Sequence, residues 1–200
     1  MNMATPYYEK DGITIFHGDC RDILPTLPKV DLVLTDPPYP TWKQEEFKYI
    51  EGILDPLRNM TCQQFIFWTP AVPFPLDYCG MHVWDKATGS NTQFECIYQR
   101  GRGTGYKIHR YITPHNTVRA NWCKDVCYDH YSQKPLQLMR CLFKDADGGI
   151  VLDPFMGSGT TLHAAKIEGR KAIGIEIEER YCEIAANRLR QGVLAFPEND

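Results

Sequence analysis

The chain has 200 residues, of which 43% are hydrophobic and 12% aromatic, enough for one ordinary domain with a sizeable core. No apolar run exceeds four residues, Phe65 to Trp68 being one of that length. A membrane span needs ~20 such residues and a secretory signal ~7–15, so neither is expected, and the chain is expected to stay in the cytoplasm. The net charge of −3 says little about partners until its distribution is read.

In chain order, Gly12 to Gly18 reads as a strand and Cys20 to Leu27 as a short helical stretch stopped by Pro25 and Pro28. Val30 to Thr35 is a buried-type strand that ends at Asp36. Phe47, Ile50, Ile53, Leu54 and Leu57 fall at helical spacing and predict an amphipathic helix. Phe65 to Thr69 is the next strand. His82–Asp85 and Phe94–Gln99 flank a turn of Thr88, Gly89, Ser90 and Asn91, which predicts an antiparallel hairpin. Gly101 to Tyr131 shows no period and reads as a mobile loop. Pro135 to Phe143 is helical, Ile150 to Leu152 a strand, Thr160 to Glu168 a helix, Lys171 to Ile177 a strand, and Tyr181 to Leu189 a last helix. Strands alternating with helices predict an α/β sheet in a single domain over residues 1–200.

Eight cysteines are scattered without a secretory signal, so free thiols are expected. Cys123, Cys127 and His130 lie close together, but their spacing matches no common zinc finger and no fourth ligand is evident, so no metal is expected. Between Cys96 and Lys124 stand Arg100, Arg102, Lys107, Arg110, Arg119 and Lys124 with no acid among them, on an otherwise acidic chain. Such an island suits a localised polyanion contact, the bland reading being a solvated basic loop.

Asp153-Pro154-Phe155-Met156-Gly157-Ser158-Gly159-Thr160-Thr161 lies between a strand and a helix. Gly157 and Gly159 permit a tight turn close to a ligand, Ser158 or Thr160 is placed to cap the helix, and the helix N-terminus offers N–H groups to an anion. Glu176, seventeen residues after Gly159, stands where a carboxylate binds a ribose diol, so a nucleoside-containing cofactor is favoured over an empty turn. Spacing does not separate a dinucleotide from S-adenosylmethionine. The charge of Asp153 leans toward the latter, since it repels a pyrophosphate and attracts an ammonium.

Asp36-Pro37-Pro38-Tyr39 follows an apolar strand. The prolines fix the backbone, and the Pro37 carbonyl is left for a ligand. A planar amino group conjugates its lone pair into the ring and is a poor nucleophile. The Asp36 carboxylate and the Pro37 carbonyl, binding its two hydrogens, would free that lone pair for in-line attack on a methyl group. Tyr39 would stack on a base flipped out of its duplex.

Together these segments resemble the amino-methyltransferases of DNA. Their order, Asp36–Tyr39 before Asp153–Thr161, is similar to the permuted β class. Gly18-Asp19-Cys20 with Leu24, His130 to Pro135, and Gly174-Ile175-Glu176 with Tyr181 and Arg188 resemble further segments of that class. The resemblance implies a circularly permuted, Rossmann-like seven-strand mixed sheet of the class I S-adenosylmethionine-dependent methyltransferase type. By position, Asp153, Phe155, Gly157, Ser158, Gly159, Thr160 and Thr161 would hold the methionine part. Glu176 would take the ribose, Asp19 with Cys20 the adenine, and Gln133 and Lys134 would close the pocket. Asp36, Pro37, Pro38 and Tyr39 would do the chemistry, and Arg100, Arg102, Lys107 and Arg110 would meet DNA in a short recognition loop at about 87–126. The implied reaction is methylation of adenine N6 in DNA, with cytosine N4 as the minority base. A catalytically silent cofactor-binding subunit, or an RNA or protein-glutamine substrate, are the other readings. A homodimer is expected by resemblance, and the short recognition segment fits a relaxed or phage-type enzyme of a prokaryotic cell.

Overall fold

Parallel strands are covered on both faces and so consist of continuous apolar runs, and the chain's clearest runs sit at the middle of one sheet. The computed structural model describes residues 4–38, 52–86, 94–111, 133–146 and 148–191. The strands are β1 (Tyr8–Lys10), β2 (Ile13–His17), β3 (Leu32–Thr35), β4 (Gln63–Trp68), β5 (Gly80–Asp85), β6 (Phe94–Arg100), β7 (Ile108–Arg110), β8 (Val151–Asp153) and β9 (Ala172–Glu176). They form one sheet in the order β1-β2-β9-β8-β3-β4-β6-β5-β7. From β2 to β4 the neighbours are parallel, whereas β6 runs antiparallel to both β4 and β5. The seven inner strands are the mixed Rossmann-like sheet that was expected. Two three-residue strands, β1 and β7, add an edge on each side.

The helices are α1 (Cys20–Ile23), which runs into a 3-10 turn at Leu24–Thr26, then α2 (Asp55–Arg58), α3 (Leu136–Lys144), α4 (Thr160–Ile167) and α5 (Glu179–Arg190). Successive strand residues point to opposite faces, so each inner strand feeds two apolar layers. Ile15, Leu34 and Phe67 pack with Leu138 and Leu142 of α3, Leu162 of α4 and Leu189 of α5. Phe16, Val33 and Ile66 pack on the other side with Ile23, Leu54 and Leu57. The described cysteines carry free thiols, as expected. No helix among the described residues is long and apolar enough to cross a membrane.

The structure departs from the sequence reading in the short elements. Gly101 to Tyr131 contains a strand, β7, which pairs parallel with β5. The amphipathic helix predicted from Phe47 is described only as the four residues of α2, though Ile53, Leu54 and Leu57 are buried as expected. Phe47 and Ile50, the turn at Thr88–Asn91, the Cys123, Cys127 and His130 group, and Arg119 and Lys124 lie outside the described residues.

Buried between β5, β7 and α3 is a hydrogen-bonded chain. Gln99 Oε1 accepts from Gly105 N at 3.1 Å, and Gln99 Nε2 donates to Arg102 O at 2.6 Å, so the oxygen faces His82 Nε2 at 3.1 Å. His82 therefore donates from Nε2 and accepts at Nδ1 from His109 Nε2, 2.9 Å away. His109 Nδ1 faces the Cys141 thiol at 3.6 Å. His82, His109 and Asp145 bring ligand atoms within 4.8 Å of one another. A metal there would have to displace the hydrogen bond between His82 Nδ1 and His109 Nε2. Burial holds both imidazoles below their ordinary value, with His82 adding to the effect on His109. Below about 6.5 the unfolded chain takes up protons that this pair refuses, so the pair's contribution to stability falls as the pH drops through that value. Ring nitrogen NMR should show both imidazoles titrating below the ordinary histidine value. Titration of either near its ordinary value would contradict the chain.

Candidate active site

The parallel strands β2, β9, β8, β3 and β4 all end on one edge of the sheet, and the connections diverge between β8 and β3. From β8 the chain passes through α4 to β9 on one side, while β3 leads toward β4 on the other. Open α/β sheets form their ligand crevices at such a switch point. Thr35 Oγ1 donates to Asp153 Oδ1 at 2.7 Å, which ties the two strand ends together across it.

On the β8 side, Asp153 is buried and also accepts from Phe155 N at 3.2 Å. Burial pushes its carboxyl up to about 6 against the opposing pull of Thr161 and Thr35. Gly157 and Gly159 both take positive φ, 50° and 76°. A Cβ on Gly159 would stand 2.8 Å from the Ala185 Cβ, so glycine is what lets α4 start against α5. Glu176 Oε2 accepts from Gly157 N and Oε1 from Glu178 N, both at 2.9 Å, which fastens the turn to the end of β9. Burial still leaves the Glu176 carboxyl above its ordinary value.

The expected side-chain cap is corrected here. Gly159 is the N-cap of α4 and no side chain bonds to it. The Thr160 hydroxyl instead accepts from Arg188 Nη1 at 3.0 Å, and the same guanidinium reaches Ser158 O at 3.4 Å and His163 Nδ1 at 3.1 Å. Arg188 is 3% exposed, so its role is to brace the Gly-rich turn from beneath. The resemblance included Arg188 in a family-like segment without assigning it this contact.

At the end of β2, Gly18 N donates to Glu176 O at 2.9 Å and sets Asp19 beside Glu176. Asp19 caps α1 through Arg21 N at 2.8 Å, and the Arg21 side chain, paired with it, holds the carboxyl below its ordinary value. The Cys20 side chain belongs to the apolar layer with Phe16 and Ile23, and burial pushes its thiol up to about 11. With its side chain in that layer, Cys20 meets the crevice through its backbone.

On the β3 side, Asp36 is followed by a buried Pro37 and a half-buried Pro38, and Tyr39 lies outside the described residues. Asp36 Oδ2 pairs with Lys134 Nζ. Asp36 Oδ1 is buried and has no hydrogen-bond partner among the described residues. Lys134, with its side chain 6% exposed, lies 3.3 Å from Glu95 Oε2 and 5.3 Å and 5.8 Å from the ring centres of Phe67 and Trp84. Glu95 Oε1 accepts from Lys86 Nζ at 2.6 Å. The family resemblance implied that Gln133 and Lys134 close the cofactor pocket; both are buried, and Lys134 pairs with Asp36 and Glu95. Glu95 and Lys86 were not singled out, since nothing in a strand-end acid or a turn lysine reveals a charge cluster.

The basic island does not stay together. Arg100 is buried, and its guanidinium bonds Asp77 O, Leu57 O, Arg58 O and Gln64 Oε1. It pins α2 to β6 and is no DNA contact, which corrects that assignment. Because β6 is antiparallel to β4, Arg100 and Arg102 also stand at the edge of the sheet opposite Asp36. Lys107 pairs with Asp145, and Arg110 with Asp85 at 2.8 Å. Of the four, Arg110 at the end of β7 lies on the Asp36 edge.

These residues suit S-adenosylmethionine: carboxylates for a ribose diol and an ammonium, a helix N-terminus for a carboxylate, and a desolvated acceptor one strand away. The family model described as DNA methylase matches residues 81–187. The chain is 45% identical over 159 residues to the type II methyltransferase M2.LlaDCHI of Lactococcus lactis subsp. cremoris, covering 75% of this chain and 54% of that protein. The crystal structure of the M1.HpyAVI–SAM complex matches with a TM-score of 0.60 and 26% identity, over 90% of this chain and 100% of that one. The cytosine-N4-specific PvuII DNA methyltransferase shares the fold, with a TM-score of 0.69 over 96% of this chain and 91% of that one, at 15% identity. The chain belongs to the DNA methylase family of S-adenosylmethionine-dependent amino-methyltransferases, whose targets are adenine N6 or cytosine N4.

Proposed function

We propose that the chain methylates the N6 amino group of adenine in DNA, with Asp36 as the acceptor that prepares the nitrogen. The observation that carries this is Asp36 Oδ1, buried and without a partner among the described residues at the sheet's switch point. A buried acceptor left unsatisfied costs roughly 1–3 kcal/mol, a cost that a bound amino group removes. The second hydrogen of the amine goes to the Pro37 carbonyl. Burial holds the Asp36 carboxyl above its ordinary value, which makes it a stronger proton acceptor than an exposed aspartate. As the nitrogen gains the methyl group, it becomes acidic and gives one proton to Asp36.

S-adenosylmethionine supplies a methyl group on a cationic sulfur. Asp153, Phe155 and Gly157 to Thr161 hold its methionine end. Glu176, whose two oxygens each accept one backbone N–H, has lone pairs left for the ribose hydroxyls. Asp19 takes the adenine amino group, and Tyr39 stacks on the flipped base. A carboxylate before Pro-Pro-Tyr supports adenine over cytosine, because the resemblance associates serine there with cytosine-N4 members. Target recognition belongs to residues 87–126 of the single domain.

Asp36→Ala should lower methyl transfer to DNA by about a hundredfold or more while cofactor affinity stays within a few fold. A variant as active as the parent would refute the mechanism. Digestion of DNA treated with the parent enzyme should release N6-methyladenine by mass spectrometry. N4-methylcytosine would keep the mechanism and change the base. Replacing Arg110 with Gln should reduce the salt dependence of DNA binding by about one phosphate contact, a slope change of roughly 0.9. Arg100→Gln should leave that slope unchanged and lower the melting temperature. The reverse pattern would return Arg100 to the interface.

A further inference from the structure

Four charged side chains from four parts of the chain meet at Asp36. Lys134 comes from the residue pair before α3, Glu95 is the second residue of β6, Lys86 follows β5, and Asp153 stands at the end of β8, the strand beside β3. Asp36 with Lys134 is enough to form an ion pair. Glu95 and Lys86 need another explanation, since burying a further carboxylate and ammonium is expensive unless each is matched.

Lys134 offers an explanation. Its ammonium is enclosed by Phe67 and Trp84, hydrogen-bonds Asp36 Oδ2 and forms an ion pair at 3.3 Å with Glu95 Oε2, which has no hydrogen-bond partner among the described residues. Lys86, whose ammonium sits 4.9 Å above the Trp84 ring, anchors the other oxygen of Glu95. Glu95 is thus a fixed anion, held from behind, that pulls on the lysine from the side away from Asp36. We propose that Glu95 is a positioning residue for methyl transfer: by sharing Lys134 with Asp36 it confines the lysine to Oδ2 and keeps Oδ1 open for the target amine. This rests on Asp36 being the acceptor. Without the charge of Glu95, the Asp36 carboxylate is the anion that Lys134 pairs with among the described residues, and the lysine settles across both Asp36 oxygens, where it competes with the substrate. Without Lys86, Glu95 draws Lys134 away from Asp36.

Charge acts in the same directions. Burial is the main reason that the Asp36 carboxyl lies above its ordinary value, Lys134 and Lys86 pull it down, and Glu95 pushes it up. Glu95 itself is held below its ordinary value, because Lys134 and Lys86 outweigh the effect of burial. Asp36 must be ionised to accept, so the transfer rate falls on the acid side as Asp36 takes up a proton.

The test is the single-turnover rate of methyl transfer to DNA as a function of pH. Glu95→Gln should lower the plateau about tenfold and move the acid limb down by about one pH unit. Lys86→Gln should move the acid limb up. Opposite shifts are not produced by general loosening of the fold. Should Glu95→Gln fail to fold, Lys86→Gln decides alone, and an unmoved limb there overturns the proposal. Parent-like behaviour of Glu95→Gln, or shifts of the same sign in both variants, also overturns it. Activity in Asp36→Ala would instead refute the underlying reading of the site. An inactive Asp36→Ala beside a parent-like Glu95→Gln refutes the role of Glu95 alone.

Discussion

A carboxylate can wait in a desolvated crevice with one oxygen unpaired only if its charge is balanced close by. Here the Asp36–Lys134 pair supplies that balance, and much of the surrounding architecture serves it. A buried ion pair is a poor means of gaining stability, since apolar residues of the same volume often do as well or better. Its location at the catalytic edge, between two aromatic walls and a second carboxylate, fits retention for chemistry. The far end of the same sheet solves a similar problem without charge. There burial disfavours the charged forms of His82 and His109, which link Cys141 to Gln99 in one hydrogen-bonded chain.

The sheet brings this acceptor to the cofactor side by strand order alone. Asp36 and Asp153 are far apart in sequence, yet β3 and β8 are neighbours, and the Thr35 hydroxyl bridges their ends. The glycines at 157 and 159 bring the turn down onto β9, the Glu176 carboxylate holds it there by accepting from Gly157 N, and Arg188 supports it from α5. The proposed cofactor and target sites therefore share one edge of the sheet, as direct transfer between two bound molecules requires.

The sequence revealed long or strongly patterned features. The apolar runs of β3 and β4, the strand–glycine–helix turn and the acid at 176 could be read because burial and backbone geometry are local properties. Strands β1 and β7 could not, since three residues are too few to show a period. Charge was misread for a different reason. The island from Arg100 to Lys124 lacks acids in one dimension, but folding brings Asp85 to Arg110 and Asp145 to Lys107, and it buries Arg100 among backbone carbonyls. The pairing of Lys134 with Asp36 and Glu95 was missed, because it depends on which strand ends lie side by side.

The central claim is that Asp36 Oδ1 receives the target amino group while Lys134 keeps Oδ2. The most direct measurement is a crystal structure of the protein with a non-transferable S-adenosylmethionine analogue and DNA containing a methylatable adenine. The account predicts an extruded adenine whose N6 lies within hydrogen-bond distance of Asp36 Oδ1 and the Pro37 carbonyl, with Lys134 still bridging Asp36 and Glu95. An amino group held by other acceptors, or Lys134 lying between Asp36 and the base, would contradict it.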